Sequence, residues 1–173
     1  EWCRLFDRKH VWENMDALVA EPYGMNQQQQ TCDDKYAREI ENDLLPRICT
    51  VLNKQHGTDY EVRLWNILLG HWLRRYTRLM INRTKTILQC LESYSISNTI
   101  CYAEDTYQLA TNDTKSLLYA ADDSIWDNVL FSKILKNIEE YSGNIEYINS
   151  TFSNRYIWNG YNPLFPDKPI QWK

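Results

Sequence analysis

His56 stands directly before Gly57, in a stretch that joins two apolar segments of helical pattern. An imidazole can accept a proton near neutral pH, and a neighbouring glycine lets a substrate approach the side chain closely. One interpretation of His56 is therefore a catalytic base. The other is structural, because a histidine at the C-terminal end of a helix is favoured by the helix dipole. Residue type and position leave both interpretations open.

Arg63, Trp65 and Trp72 follow in the next segment and are candidates for substrate binding. The guanidinium of Arg63 suits a carboxylate or a phosphate, although a structural pair with Glu61 or Asp59 is an equal alternative. Trp65 and Trp72 stand two helical turns apart and so share one face of a helix. Each indole N–H needs a partner when it is buried. This face therefore needs polar surroundings or a ligand.

Further cations occur near the start of the chain and along the second segment. Arg8, Lys9 and His10 form a cluster that could hold a phosphate or a carboxylate, with a solvated surface as the alternative. Four more arginines are interpreted as the solvated face of a helix: Arg74, Arg75, Arg78 and Arg83.

The elements that must position these residues follow from the spacing of apolar side chains. Spacings of three and four predict a helix over 33–55, kinked or divided at Pro46 and stopped at Gly57. A second helix is expected from a cap at Thr58 or Asp59 to about residue 91. Shorter elements are predicted as helices near 11–19 and 113–121, a strand over 96–102, and a helix from the cap Asp122-Asp123 through 141.

The whole composition predicts one folded domain rather than a disordered chain. The chain has 173 residues, of which 43% are hydrophobic and 13% aromatic, with a net charge of −4. This charge argues against nucleic acid as a partner, which needs a basic face. We expect a mostly helical domain over 1–143 and an extended tail or linker over 144–173, where prolines exclude long elements.

Metal and cofactor motifs are missing from the sequence. It contains no HExxH, GxGxxG, Walker or G-x-S-x-G motif, so we predict neither a metal nor a cofactor. Five cysteines without a CxxC pair favour reduced thiols in the cytoplasm. No apolar run approaches the roughly 20 residues of a membrane span, which leaves peripheral membrane association open. Because the chain opens on Glu1 without a leader, we expect a cytoplasmic fragment of a longer protein.

The segment around His56 resembles a known signature. The pattern His56-Gly57, then Arg63-x-Trp65-x-Ile67-Leu68-x-Gly70-x-Trp72-Leu73, is similar to H-G-x-x-x-S-x-R-Y-W-R-I-L-x-G-P-W-L. That signature belongs to a family of transferases encoded in bacterial O-antigen and other surface-polysaccharide gene clusters. Weaker similarity extends over most of 1–135, through Glu1-Trp2-Cys3, Arg8-Lys9-His10-x-Trp12 and the segment after Asp122-Asp123.

The chain departs from the family pattern at four positions of the central motif. It has Glu61 for serine, Leu64 for tyrosine, Asn66 for arginine and His71 for proline. The loss of the arginine removes an anion contact at position 66. The loss of the proline predicts a helix that is less sharply kinked.

The resemblance implies a transferase of surface-polysaccharide assembly. Sugar transfer from a nucleotide-activated donor to a glycan or lipid-linked acceptor would follow, with His56 as the base and Arg8, His10 and Arg63 steadying negative charge. The implied fold is α/β and predominantly helical: the incomplete N-terminal, acceptor-side half of a two-Rossmann-domain (GT-B-like) glycosyltransferase. As a fragment, the chain alone is expected to be inactive. The alternative function is a non-catalytic interaction module that docks a partner through Trp65 and Trp72.

Overall fold

The computed structural model describes residues 10, 13–14, 18, 20–21, 23–103, 109–111, 113–139 and 141–149. These residues form four helices and a two-stranded parallel sheet, which confirms the mostly helical prediction. In chain order the elements are α1 (Gln27–His56), α2 (Val62–Ser93), β1 (Asn98–Tyr102), α3 (Thr114–Ala120), α4 (Ser124–Lys136) and β2 (Asn144–Ile148). The helix predicted near 11–19 lies mostly outside the described residues.

Helices α1 and α2 form an antiparallel hairpin. Asn53 meets Trp65 beside the connecting loop, whereas Asp33 meets Lys85 near the opposite end of the hairpin. α1 begins earlier than predicted because the Asn26 side chain accepts from the backbone N–H groups of Gln28 and Gln29. These contacts place the His56 loop at one end of two long helices.

The ends and interior of α1 test two predictions. Gly57 stops the helix in the left-handed region (φ 64°), and its N–H donates to the carbonyl of Asn53, as the sequence predicted. Pro46 lies within α1 and does not divide it into two helices. The hydroxyl of Thr50 donates to the carbonyl of Pro46.

The start of α2 differs from the prediction. Its N-cap residue is Glu61, which makes no side-chain capping hydrogen bond, so the predicted cap at Thr58 or Asp59 is wrong. Thr58 donates its hydroxyl to the side chain of Asn53 instead. α2 ends at Ser93, close to the predicted residue 91.

Helices α3 and α4 pack on the middle of α2 around Trp126, which is fully buried. Asp113 caps α3, and Asp123 caps α4 by accepting from the N–H groups of Ile125 and Trp126. The predicted capping role of Asp123 is thus confirmed, although α4 ends at Lys136 rather than near 141. The core cluster consists of Leu117, Ala120, Trp126, Val129 and Leu130, with Trp72, Tyr76, Leu79 and Met80 of α2 packed against it.

Helices α3 and α4 are here called the second layer. β1 precedes α3 and β2 follows α4, so the sheet brings together the two ends of this layer. β1 and β2 pair in parallel, with Asn98 opposite Asn144 and Tyr102 opposite Ile148. α4 is tied to β1 because the hydroxyl of Ser132 accepts from the N–H of Tyr102 (3.1 Å). β2 lies beyond residue 143 and was not predicted as a strand, since its pairing partner lies far away in sequence. The boundary between a 1–143 domain and a tail remains a prediction.

Candidate functional site

His56 is the last residue of α1 and its side chain is exposed. Its ring lies 6.3 Å from the ring of Trp65, measured between centroids, at an interplanar angle of 34°. Within the described part of the chain, the imidazole makes no hydrogen bond or ion pair. No described residue therefore occupies either ring nitrogen.

Asn53 organises the loop that follows His56. Its Oδ1 accepts from the Thr58 hydroxyl (3.0 Å), the Tyr60 backbone N–H (3.1 Å) and the indole N–H of Trp65 (2.8 Å). Its Nδ2 donates to the carbonyl of Tyr60 (2.9 Å). One side chain thus fixes both ends of the 57–61 loop to α1 and α2. The sequence analysis missed this residue; its only signal is an asparagine one helical turn before the stopping glycine.

Trp65 supports the loop from within the hairpin. Only 7% of its surface is exposed, and its ring lies 5.8 Å from that of Tyr60. The buried indole N–H therefore finds its partner in Asn53, as the burial of a tryptophan requires. Whether Trp65 also contacts a substrate remains a prediction, since the side chain is covered in this arrangement.

Arg63 is the second residue of α2, and its side chain is exposed. It forms no hydrogen bond or ion pair with any described residue. The structural alternative, a pair with Glu61 or Asp59, is therefore not observed. Because the 57–61 loop returns the chain from α1 to α2, His56 and Arg63 flank the same loop. This places a potential base and an unpaired cation at one end of the hairpin.

Trp72 contacts different neighbours from Trp65. It is half-buried, its indole N–H donates to the hydroxyl of Thr111 (3.2 Å), and its ring stacks on Tyr76 with centroids 5.0 Å apart. Burial raises the pKa of Tyr76. Trp72 packs against the core cluster, so the two tryptophans do not form one exposed aromatic surface.

The two remaining histidines are His10 and His71. His10 is exposed, and Arg8 lies outside the described residues, so their joint role stays a prediction. His71 is exposed on α2, where its Nε2 accepts from the guanidinium Nε of Arg75 (3.0 Å). This bond within one helix supports the structural interpretation of His71.

A polar junction joins α1 to α2 far from the loop. Asp33 accepts from the hydroxyl of Tyr23 (2.6 Å) and from the ammonium of Lys85. Burial alone would raise the pKa of Asp33, but the bonds from Lys85 and Tyr23 outweigh it and lower that pKa. The bond to Asp33 raises the pKa of Lys85. Burial, followed by the bond to Asp33, raises the pKa of Tyr23.

Arg78 lies beside this junction and binds two carboxylates of α1. Its guanidinium donates to Asp34 (2.6 and 3.0 Å) and to Glu41. Arg83 similarly binds Asp127 of α4 through two bonds of 3.1 Å. The prediction of a solvated face is therefore wrong for Arg78 and Arg83, because both pair with acids on neighbouring helices. Spacing along one helix could not reveal these partners.

A surface pocket of about 240 Å³ opens over the same junction. Its walls include Tyr23, Asp33, Asp34, Arg78 and Asn82. Each carboxylate in it is already paired with a cation, so the junction is locally close to neutral. The arrangement explains how two helices with few buried apolar side chains between them stay together. It gives no unpaired charge with which to bind an ion.

Metal-binding clusters and membrane-spanning helices are both missing from the described residues. Among them, no group of three His, Cys, Asp or Glu side chains is arranged to hold a metal ion. None of the helices in this part of the chain is both long and apolar enough to cross a membrane.

A histidine and an arginine that makes no ion pair with any described residue thus flank one loop of this mostly helical chain. The family model described as LIC12162 family transferase matches residues 1–161. The chain therefore belongs to the LIC12162 family of transferases. No curated protein and no solved structure matches it significantly.

Proposed function

We propose that the chain forms part of a glycosyltransferase of bacterial surface-polysaccharide assembly, acting in the cytoplasm on a nucleotide-activated sugar. The observation that carries the proposal is the exposed pair His56 and Arg63 around one fixed loop, in a chain that belongs to a transferase family. The resemblance of this loop to the signature of surface-polysaccharide clusters supplies the substrate class. O-antigen assembly is the process that this resemblance favours.

In the proposed reaction, His56 accepts the proton of an acceptor hydroxyl as its oxygen attacks the anomeric carbon of the donor sugar. The bond from that carbon to the donor phosphate oxygen breaks, and the nucleoside diphosphate leaves with the electron pair. Arg63 steadies the negative charge that develops on the leaving phosphate, for which its fork of donors is suited. Arg8 and His10 are proposed to assist, and Trp65 and Trp72 to shape the wall of the cleft.

The wider architecture is proposed to be the two-Rossmann-domain plan. The support is the pairing of β1 and β2 in parallel across α3 and α4, which is the strand–helix–strand connection from which such domains are built. The described helices would then belong to the acceptor-side half. In that plan the nucleotide-binding half holds the donor.

The alternative, a docking module that uses Trp65 and Trp72, has less support. It requires an exposed aromatic surface, whereas Trp65 is buried and Trp72 packs on the core cluster. The binding of a partner through that face would need the hairpin to open.

The test is a transfer assay on the whole protein with a panel of donors: UDP-glucose, UDP-N-acetylglucosamine, GDP-mannose and dTDP-rhamnose. The assay measures the released nucleoside diphosphate together with the labelled sugar in the lipid extract of bacterial membranes. We expect transfer from at least one donor, and Arg63→Ala to lower its kcat by on the order of tenfold or more, because the charge that Arg63 steadies develops only in the transition state. Lys54→Ala is the matched control, since Lys54 is an exposed cation on α1 near the same loop. Equal effects of the two variants would remove Arg63 from the site, and absence of transfer from every donor would contradict the proposal.

A further inference from the structure

The charges of α2 are segregated from those of the rest of the chain. The helix carries six Lys and Arg residues but only one acid, Glu92, although the whole chain has a net charge of −4. Arg78, Arg83 and Lys85 are paired with acids of α1 or α4. The other three, Arg63, Arg74 and Arg75, form no ion pair within the described part of the chain. The unpaired cations all lie in the first half of the helix.

Large apolar side chains are exposed in the same half of α2. Ile67 is 71% exposed, Leu68 59% and Leu64 38%, and they stand three and four residues apart. Side chains at these spacings adjoin on one side of a helix. They therefore form a contiguous apolar patch, and exposed apolar surface of this kind is unfavourable in water.

The apolar patch continues directly into cations. His71 follows Ile67 by four residues and Leu68 by three, and Arg74 and Arg75 follow His71 by the same spacings. All of them are exposed. The resulting surface, here called the α2 outer face, consists of Leu64, Ile67, Leu68, His71, Arg74 and Arg75. Three exposed aliphatic side chains over 64–68 are thus followed by two arginines that form no ion pair with a described residue.

We propose that the α2 outer face docks on an anionic membrane surface. Helices that lie in the plane of a bilayer combine exposed Leu and Ile with Lys or Arg, because the aliphatic groups enter the acyl boundary while the cations meet anionic headgroups. Charge complementarity selects this occupant: Arg74 and Arg75 have no carboxylate partner among the described residues, so they are available to anionic headgroups.

The proposed docking places the 57–61 loop near the bilayer. Leu64 lies one residue after Arg63 and in the first turn of α2, so a helix resting on lipid would hold His56 and Arg63 close to the headgroups. A lipid-linked acceptor would then present its sugar to the loop without leaving the membrane. This link to the acceptor rests on the proposed function, whereas the docking itself does not.

The experiment is vesicle sedimentation of the full chain. The probes are vesicles of equimolar phosphatidylglycerol and phosphatidylcholine, and vesicles of phosphatidylcholine alone. We expect binding to the anionic vesicles that weakens with added salt. Replacement of two surface cations, Arg74→Gln with Arg75→Gln, should lower the affinity by roughly tenfold to thirtyfold. Ile67→Ser with Leu68→Ser should lower it by on the order of tenfold.

Matched controls come from the exposed side of α1. Val51→Ser removes an aliphatic side chain that is 62% exposed, and Lys35→Gln with Arg47→Gln removes two exposed cations. These variants should bind vesicles as the wild type does. Circular dichroism checks that all variants keep their helices, which exposed positions should permit.

Three results would overturn the proposal. The first is no binding to either vesicle; the second is an equal loss in the α1 controls, which would mean unspecific charge attraction. The third is a change of oligomeric state in Ile67→Ser with Leu68→Ser, seen by light scattering without vesicle binding, which would assign the face to a second copy. Vesicle binding without sugar transfer would leave the docking standing and contradict the proposed function. Transfer to a water-soluble acceptor without vesicle binding would do the reverse.

Discussion

At the scale of single residues, Asn53 determines how the candidate site is held. Its side chain alone accepts hydrogen bonds from Thr58, Tyr60 and Trp65. The sequence indicated His56, Arg63 and the indoles by residue type, because each of these has recognisable chemistry. It did not indicate Asn53, because an asparagine is common near helix ends and its three partners are fixed only by the turn of the chain.

Removal of the Asn53 side chain should destabilise the hairpin measurably. Asn53→Ala leaves the buried indole N–H of Trp65 without its acceptor, which costs about 1–3 kcal/mol of unfolding free energy. Gln55→Ala, at an exposed position on the same turn of α1, should change stability by no more than about 0.5 kcal/mol. Urea unfolding of both variants measures the difference.

A double-mutant cycle checks the reason for this effect. When Trp65→Phe has already removed the indole N–H, Asn53→Ala should cost less than it does in the wild type. Additive effects of the two substitutions would show that the Asn53–Trp65 bond does not account for the loss.

At the scale of elements, the spacing of apolar residues predicted the two long helices, whereas only one of the two strands was predicted. The spacings of three and four predicted α1 and α2, and Gly57 marked the end of α1 correctly. β1 lies within the strand predicted over 96–102, whereas β2 is mostly exposed and is defined by pairing with β1. Local patterns cannot predict an element whose stabilising partner lies in another part of the chain.

The junction between α1 and α2 should make the hairpin sensitive to pH at both extremes. The lowered pKa of Asp33 means that its contribution is present above its unfolded pKa, near about 3.9, and is lost as pH falls through the folded pKa. The raised pKa of Lys85 means that its contribution is fully present below about 10.4 and is lost as pH rises through the folded pKa. The pair therefore stabilises the hairpin between these limits.

The variant Lys85→Met tests this dependence. Its urea midpoint should lie below that of the wild type at neutral pH, and the difference should shrink toward both acidic and strongly alkaline pH. Lys35→Met, at an exposed lysine of α1, should show a much smaller difference at neutral pH. A difference for Lys85→Met that does not vary with pH would mean that packing, rather than the ion pair, explains the loss.

At the scale of the whole molecule, α2 contacts the other three helices. Its first turns carry Arg63 and the start of the α2 outer face, and its middle packs against the core cluster of α3 and α4. The spacing of apolar residues predicted where α2 ends but not which side faced α1, α4 or solvent. The ion pairs of Arg78 with Glu41 and of Arg83 with Asp127 orient the helix, and both acids lie on helices distant in sequence.

Arg83 joins the hairpin to the second layer through Asp127. Burial raises the pKa of Asp127 although Arg83 opposes this, so the ionised carboxylate is unfavourable where it lies. Arg83→Met should cost about 1–3 kcal/mol of unfolding free energy near neutral pH, because the carboxylate loses its cation. The loss should shrink as pH falls, since a raised folded pKa means that the folded state takes up the proton first.

Urea unfolding at about pH 8 and about pH 5 measures this dependence. Arg83→Met combined with Asp127→Asn should lose the dependence on pH. A deficit that grows as pH falls would contradict the interpretation of Asp127.

The most direct test of the central claim is the turnover of His56→Ala in the transfer assay. His71→Ala is the control, since both histidines are exposed and only His56 adjoins the 57–61 loop. If His56 takes the proton from the acceptor hydroxyl, kcat falls by on the order of 10² or more in His56→Ala. Circular dichroism should show unchanged folding, and His71→Ala should keep its turnover. Wild-type turnover in His56→Ala would contradict the assignment of the reaction to this loop.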